Sequence, residues 1–212
     1  MLKKLKISLI LFSMPLFLMG SGFEGKIKVV KKTYYDTSHY YYYVKDNKVR
    51  IDEYNQHDRL INSLIIDLSE ERVFALNQDK KIYKELQPSH HNDGDSDDKY
   101  VIKKTNNTKR INGYLCYQWR VRNREKNSEI AYWVTKDGFQ FFESMMKIVN
   151  NIGNCSDFFL HIPEKTGFLP ILTVERNLVR YEKLRLVVTN IEHRNIQRDI
   201  FTIPSNYKKF HN

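Results

Sequence analysis

Apolar and polar residues alternate with a period of two from Phe23 to Leu86, in short segments separated by polar punctuation. A period of two sends successive side chains to opposite faces of a strand, so this part of the chain predicts antiparallel sheet. The expected strands are Lys26 to Tyr35, His39 to Lys45, Lys48 to Tyr54, Ile61 to Leu68, Arg72 to Leu76 and Lys81 to Leu86. Asp46-Asn47, Ser69-Glu70-Glu71 and Asn77-Gln78-Asp79 supply turn chemistry between them. Val49 and Ile51 alternate with Lys48, Arg50 and Asp52, which gives one buried and one wet face. The run Tyr40 to Tyr43 reads as a strand whose alternate rings point to opposite faces. A strand about every ten residues is the spacing of an up-and-down sheet or barrel, not of a βαβ protein.

Pro88 to Asp98 interrupts the alternation with a polar loop that carries His90, His91, Asp93, Asp95 and Asp97. Its acids have calcium-loop spacing, but Asp98 stands where glycine is required and Lys104 where the bidentate glutamate belongs, so the loop is read as solvated. Strands resume at Tyr100 to Thr105 and Lys109 to Arg122, and Glu129 to Thr135 returns after a turn at Asn123 to Asn127. The period then changes. Phe139, Phe142, Met145, Met146, Val149 and Ile152 share one helical face, with Asp137 as N-cap and Gly153 as stop. Leu169 to Leu178 and Lys183 to Ile191 read as the last two long strands, and Phe201 to Tyr207 closes the domain. The expected fold class is mainly β (α+β): a curved antiparallel sheet or open half-barrel with one main helix packed on its concave face.

The first residues read differently. Lys3, Lys4 and Lys6 precede an uncharged run from Ile7 to Met19, and Gly20, Ser21 and Gly22 follow, which is the three-part shape of a secretory signal peptide. The run is too short to cross a hydrocarbon core, which takes about 20 helical residues. Residues 1–22 are therefore expected to be removed, leaving a single half-barrel domain over residues 23–212 in the periplasm or outside the cell. The 212-residue chain carries 35 basic and 25 acidic side chains, a formal net charge of +10, and 41% hydrophobic residues. That balance excludes disordered and collagen-like chains. Cys116 and Cys155 are its two cysteines. In an oxidising compartment they are expected to form a disulfide joining the helix's C-terminus to a strand, with two buried free thiols as the alternative.

A direct search for chemistry returns little. The sequence holds no nucleophile elbow, zincin helix, phosphate-binding glycine loop or dinucleotide fingerprint. No His pair or Cys-His set has metal-ligand spacing, so neither a metal nor a cofactor is expected. A hydrolase with a scattered site is kept as a third reading, because triads are spatial rather than sequential. Nucleic acid is set aside as a partner for an exported chain without a reader motif. Phe142, Met145, Met146 and Val149 either line a cavity between helix and sheet or fill a core. Arg120 and Arg122, two residues apart, share one strand face that either meets an anionic headgroup or is simply solvated. The leading expectation is an exported non-enzymatic binding protein that holds an apolar or acyl ligand, such as a lipid or lipoprotein acyl chain. The second is a structural or assembly subunit that docks on an outer-membrane or cell-surface protein through a sheet edge or a basic face.

Phe23-Glu24-Gly25, Lys45 to Asp52, Ile65-Ile66-Asp67, Lys81-Ile82-Tyr83, Ile111-Asn112-Gly113-Tyr114 with Cys116, and the closing Phe201 to Tyr207 occur in a telling order. Together they resemble the bacterial secreted family catalogued as domain of unknown function 4412, over nearly all of residues 23–212. The resemblance implies an exported protein with an open, curved antiparallel sheet and helices on its concave face, similar to the lipoprotein-carrier LolA-like fold, whose concavity holds acyl chains. It brings no activity with it. The acidic His-bearing loop and the single clear helix depart from that pattern.

Overall fold

The computed structural model describes residues 22–88, 99–149 and 154–210. The expected signal peptide, the polar loop at 89–98 and the expected helix end at Ile152-Gly153 lie outside the described residues. Six strands come first: β1 Gly25–Thr33, β2 Thr37–Lys45, β3 Lys48–Tyr54, β4 Leu60–Asp67, β5 Arg72–Asn77 and β6 Ile82–Leu86. Each pairs antiparallel with the next. A second meander follows as β7 Tyr100–Ile111, β8 Tyr114–Asn123, β9 Ser128–Lys136, β10 Phe168–Arg176 and β11 Glu182–His193. The meanders join because β11 pairs antiparallel with β1. A two-residue strand, β12 Lys208–Lys209, adds in parallel to β6. The order across the sheet is β12-β6-β5-β4-β3-β2-β1-β11-β10-β9-β8-β7, so it is an open 12-stranded half-barrel, not a closed barrel.

Two glycines are required by this geometry. A Cβ on Gly25 would come within 2.0 Å of the Glu192 carbonyl oxygen, so β1 approaches β11 here more closely than a side chain allows. Asn112 and Gly113 have φ of 48° and 86° and form the tight hairpin between β7 and β8. Such a turn demands left-handed backbone at both central residues, which Asn-Gly supplies at little cost. The continuous strand expected over Lys109 to Arg122 is therefore two strands folded back on each other.

The helices lie on one face of the sheet. Helix α1 spans Gln140–Ile148 and starts after Phe139, later than the Asp137 cap expected. Gly138 at φ 69° bends the chain first, and Phe139 then packs fully buried with Phe23, their rings 5.2 Å apart. Phe141, Met145, Ile148 and Val149 join Ile27, Val29, Leu169 and Val188 in the main core. A second helix, α2 Asn154–Leu160, was not expected; its Phe158 and Phe159 pack with Tyr100, Trp119, Ile130 and Tyr132 in a separate cluster. Cys116 belongs to the main core as a buried free thiol, and no Cys116 to Cys155 disulfide is seen; the Cys155 side chain lies outside the described residues.

The opposite, convex face of β3 to β6 is covered by the C-terminal segment. Ile203 and Tyr207 pack on Ile65, Leu76, Phe74 and Tyr83. Beneath them Arg50 donates to Asp52 Oδ1 at 2.7 Å and to the Ile200 carbonyl at 2.8 Å, while Ser63 donates to the same carboxylate oxygen at 2.6 Å. Buried charges need this degree of satisfaction, and Asp52, 6% exposed, has it.

Candidate functional site

The inward face follows from strand register. Tyr42 lies opposite Ile27 and Ile51, and Tyr40 opposite Val29 and Glu53, so these side chains share the helix side of the sheet. Tyr41 and Tyr43 point the other way, where Lys26 sits over the Tyr41 ring at 4.1 Å. The alternation of the tyrosine run is thus real. The same register puts Ile51, Leu64, Ala75 and Ile82 on one face across β3 to β6. Helix α1 packs over the middle of the sheet and leaves this part open. The result is a half-open groove of about 480 Å³ with a largely apolar floor, reached at its rim by Lys31, Lys84 and Phe210.

One polar cluster interrupts the floor. Tyr40 Oη donates to Glu53 Oε1 at 2.7 Å, and Asn62 Nδ2 donates to Glu53 Oε2 at 3.1 Å. Burial, reinforced by the carboxylate beside it, pushes the Tyr40 hydroxyl well above its ordinary range. Tyr40 therefore stays protonated and a donor at any ordinary pH. An apolar groove with a few fixed polar groups is the usual form of a small-ligand site, and its volume is within the ordinary range for one.

The expected site residues divide between three places. Phe142 and Met146 line a cleft of about 70 Å³ under α1, with Tyr42, Tyr132 and Leu186 around it. Met145, fully buried, and Val149, 7% exposed, point into the closed core instead. Arg120 and Arg122 lie on the outer face: they pair with Ala131 and Glu129 across β9, whereas the flanking Trp119 and Val121 pack against α2's cluster. Both guanidiniums bind Glu129, Arg122 through Nη2 to Oε2 at 2.5 Å, and hold that carboxyl below its usual range against the opposing effect of burial. The sheet thus separates the arginines from the helix face. The groove itself was missed by the sequence reading. Its signal was Glu53, which follows Val49 and Ile51 at a period of two and so puts a carboxylate on an otherwise apolar face.

Among the described residues no cluster of three or more His, Cys, Asp or Glu could hold a metal ion, and no helix is long and apolar enough to cross a membrane.

An open antiparallel half-barrel with helices on its concave face and an apolar groove beside them defines a class of sheet-and-helix folds. Within it, this chain belongs to the family described as Domain of unknown function (DUF4412), whose model matches residues 23–207. Among curated proteins no sequence matches. The fold is similar to the crystal structure of an uncharacterized conserved protein from Thermus thermophilus, with a TM-score of 0.55 at 9% identity over 87% of this chain and 88% of that one. It is also similar to a chain of the Pseudomonas aeruginosa MucA/MucB complex, with a TM-score of 0.51 at 13% identity over 85% of this chain. A structure of MucB gives a TM-score of 0.51 at 11% identity over 89% of this chain. The protein spans only 56% and 60% of those last two chains. At such identities the likeness is one of fold.

Proposed function

We propose that this is an exported binding protein that holds an apolar ligand of the acyl-chain class along the open part of its concave face. The observation that carries the reading is the groove of about 480 Å³ floored by Ile51, Leu64, Ala75 and Ile82. An alkyl chain lying on that floor removes apolar surface from water at about 25 cal/mol per Å², and the Tyr40 hydroxyl oxygen, whose proton goes to Glu53, offers an acceptor to a polar end. The cleft under Phe142 and Met146 lies on the same face of the sheet, Tyr42 of the cleft standing two residues along β2 from Tyr40 of the groove. Residues 1–22, read as a signal peptide, supply the route of export. No catalytic constellation enters this reading, which is one of binding without turnover.

A substitution inside the groove tests it. Ala75 is half-buried in the floor, so Ala75→Trp fills the groove from a position that the core does not use. A fluorescent fatty acid should bind the parent protein and lose at least about tenfold in affinity in the variant, with the thermal midpoint little changed. Equal affinity in the two proteins would remove the groove as the binding site.

A further inference from the structure

Two neighbouring turns at one end of the sheet hold apolar side chains out in water. The turn between β1 and β2 presents Tyr34 and Tyr35, 72% and 92% exposed. The turn between β10 and β11 presents Leu178, Val179 and Tyr181, the valine 83% exposed. They are neighbours because β1 pairs with β11, and the Tyr34 and Tyr181 rings stand 6.3 Å apart. Neither turn is loosely built. Thr33 Oγ1 accepts from the Asp36 amide at 3.1 Å, Asn177 Oδ1 accepts from the Tyr181 amide at 2.8 Å, and Asn127 Oδ1 accepts from the Leu178 amide at 3.2 Å. The backbone thus imposes the exposure, and a contiguous patch of this kind marks an interaction surface.

Beside the patch, on the outer face, is a pocket of about 220 Å³ lined by Arg120, Arg122, Arg176 and Arg180 around the single carboxylate of Glu129. Glu129 is shared by Arg120 and Arg122, and Arg176 pairs with Glu182 at 3.1 Å. Arg180 makes no ion pair among the described residues. Leu178 lines the same pocket, so the cationic and apolar surfaces are continuous.

We propose that this end of the sheet docks on an anionic lipid surface, with Tyr34, Tyr35, Val179 and Tyr181 at the boundary of headgroups and acyl chains and the arginine pocket on lipid phosphates. Tyrosine is an amphipathic ring suited to that boundary, and the planar guanidinium fork matches phosphate oxygens. Apolar contact and charge attraction add on such a surface, whereas either alone holds a protein weakly. The inference stands apart from the groove and its ligand.

The test is flotation of the purified protein with phosphatidylcholine vesicles, with and without phosphatidylglycerol, at low and high salt. The protein should float with the anionic vesicles at least about tenfold more than with neutral ones, and should be released by salt. The double variant Tyr35→Ser/Val179→Ser should lose that binding with its thermal midpoint unchanged, since both side chains are already in water. Arg180→Gln, away from every ion pair described, should weaken it as well. Failure to float, equal flotation with neutral vesicles, or flotation untouched by the double variant would overturn the proposal. Calorimetric binding of inorganic phosphate without vesicle binding would assign the pocket to a soluble anion and overturn it too.

Discussion

Met145 and Met146 are adjacent in sequence and have different surroundings: Met145 is fully buried in the core, while Met146 borders the cleft under α1. Met145→Ala should cost about 2–5 kcal/mol of stability, because it opens a cavity in packed surroundings. Met146→Ala should cost about 1 kcal/mol, since one side of the residue already faces free space, and should change the affinity for an apolar ligand instead. Urea denaturation of the two variants with the fatty-acid titration beside it checks both halves. Helical periodicity placed the two methionines on one apolar face, but it could not separate them, because a period records direction and not depth. Glu53 shows the converse. Its position was legible, yet its meaning appears only when Tyr40 and Asn62, contributed by two other strands, close on it.

Among the described residues, a polar cluster joins helix α2 to the sheet beside its apolar contacts. Tyr100 Oη donates to Asp157 Oδ2 at 2.8 Å, Lys126 Nζ bonds the same carboxylate, and the His161 ring stacks on Tyr100 at 3.8 Å. Burial alone would raise the Asp157 carboxyl, but the hydrogen bonds from Lys126 and Tyr100 outweigh it and hold the group below its usual value. A folded-state value that is depressed contributes stability above the unfolded value of about 3.9 and loses it as pH falls through the folded one. Asp157→Asn should therefore lower stability by about 1 kcal/mol at pH 7, and the difference should shrink below about pH 4 and vanish once the parent's carboxylate is protonated. Thermal melts of both proteins across that window check it. The strands were legible as elements because each alternates. Their boundaries failed at Asn112-Gly113, where alternation runs through the turn and only the backbone requirement of the dipeptide marks it. Helix α2 escaped because its apolar run, Phe158 to Leu160, is too short to show a period.

Across the whole molecule, the pairing of β1 with β11 brings opposite ends of the domain together at the centre of the sheet. Most contacts there are far apart in sequence, which favours slow folding. Alternating strands foretold a curved sheet with a helix across it; they could not say that α1 would cover only its middle. Coverage depends on where the 136–140 connection lets the helix land, and that decides whether the concave face is a core or a groove. Whether the open face of β2 to β6 holds a ligand is decided by native mass spectrometry of the protein purified gently from its own cells, followed by organic extraction of whatever is released. A stoichiometric acyl-bearing molecule should come off the parent protein and be absent from Ala75→Trp. A bare polypeptide mass for the parent, with nothing in the extract, would contradict it.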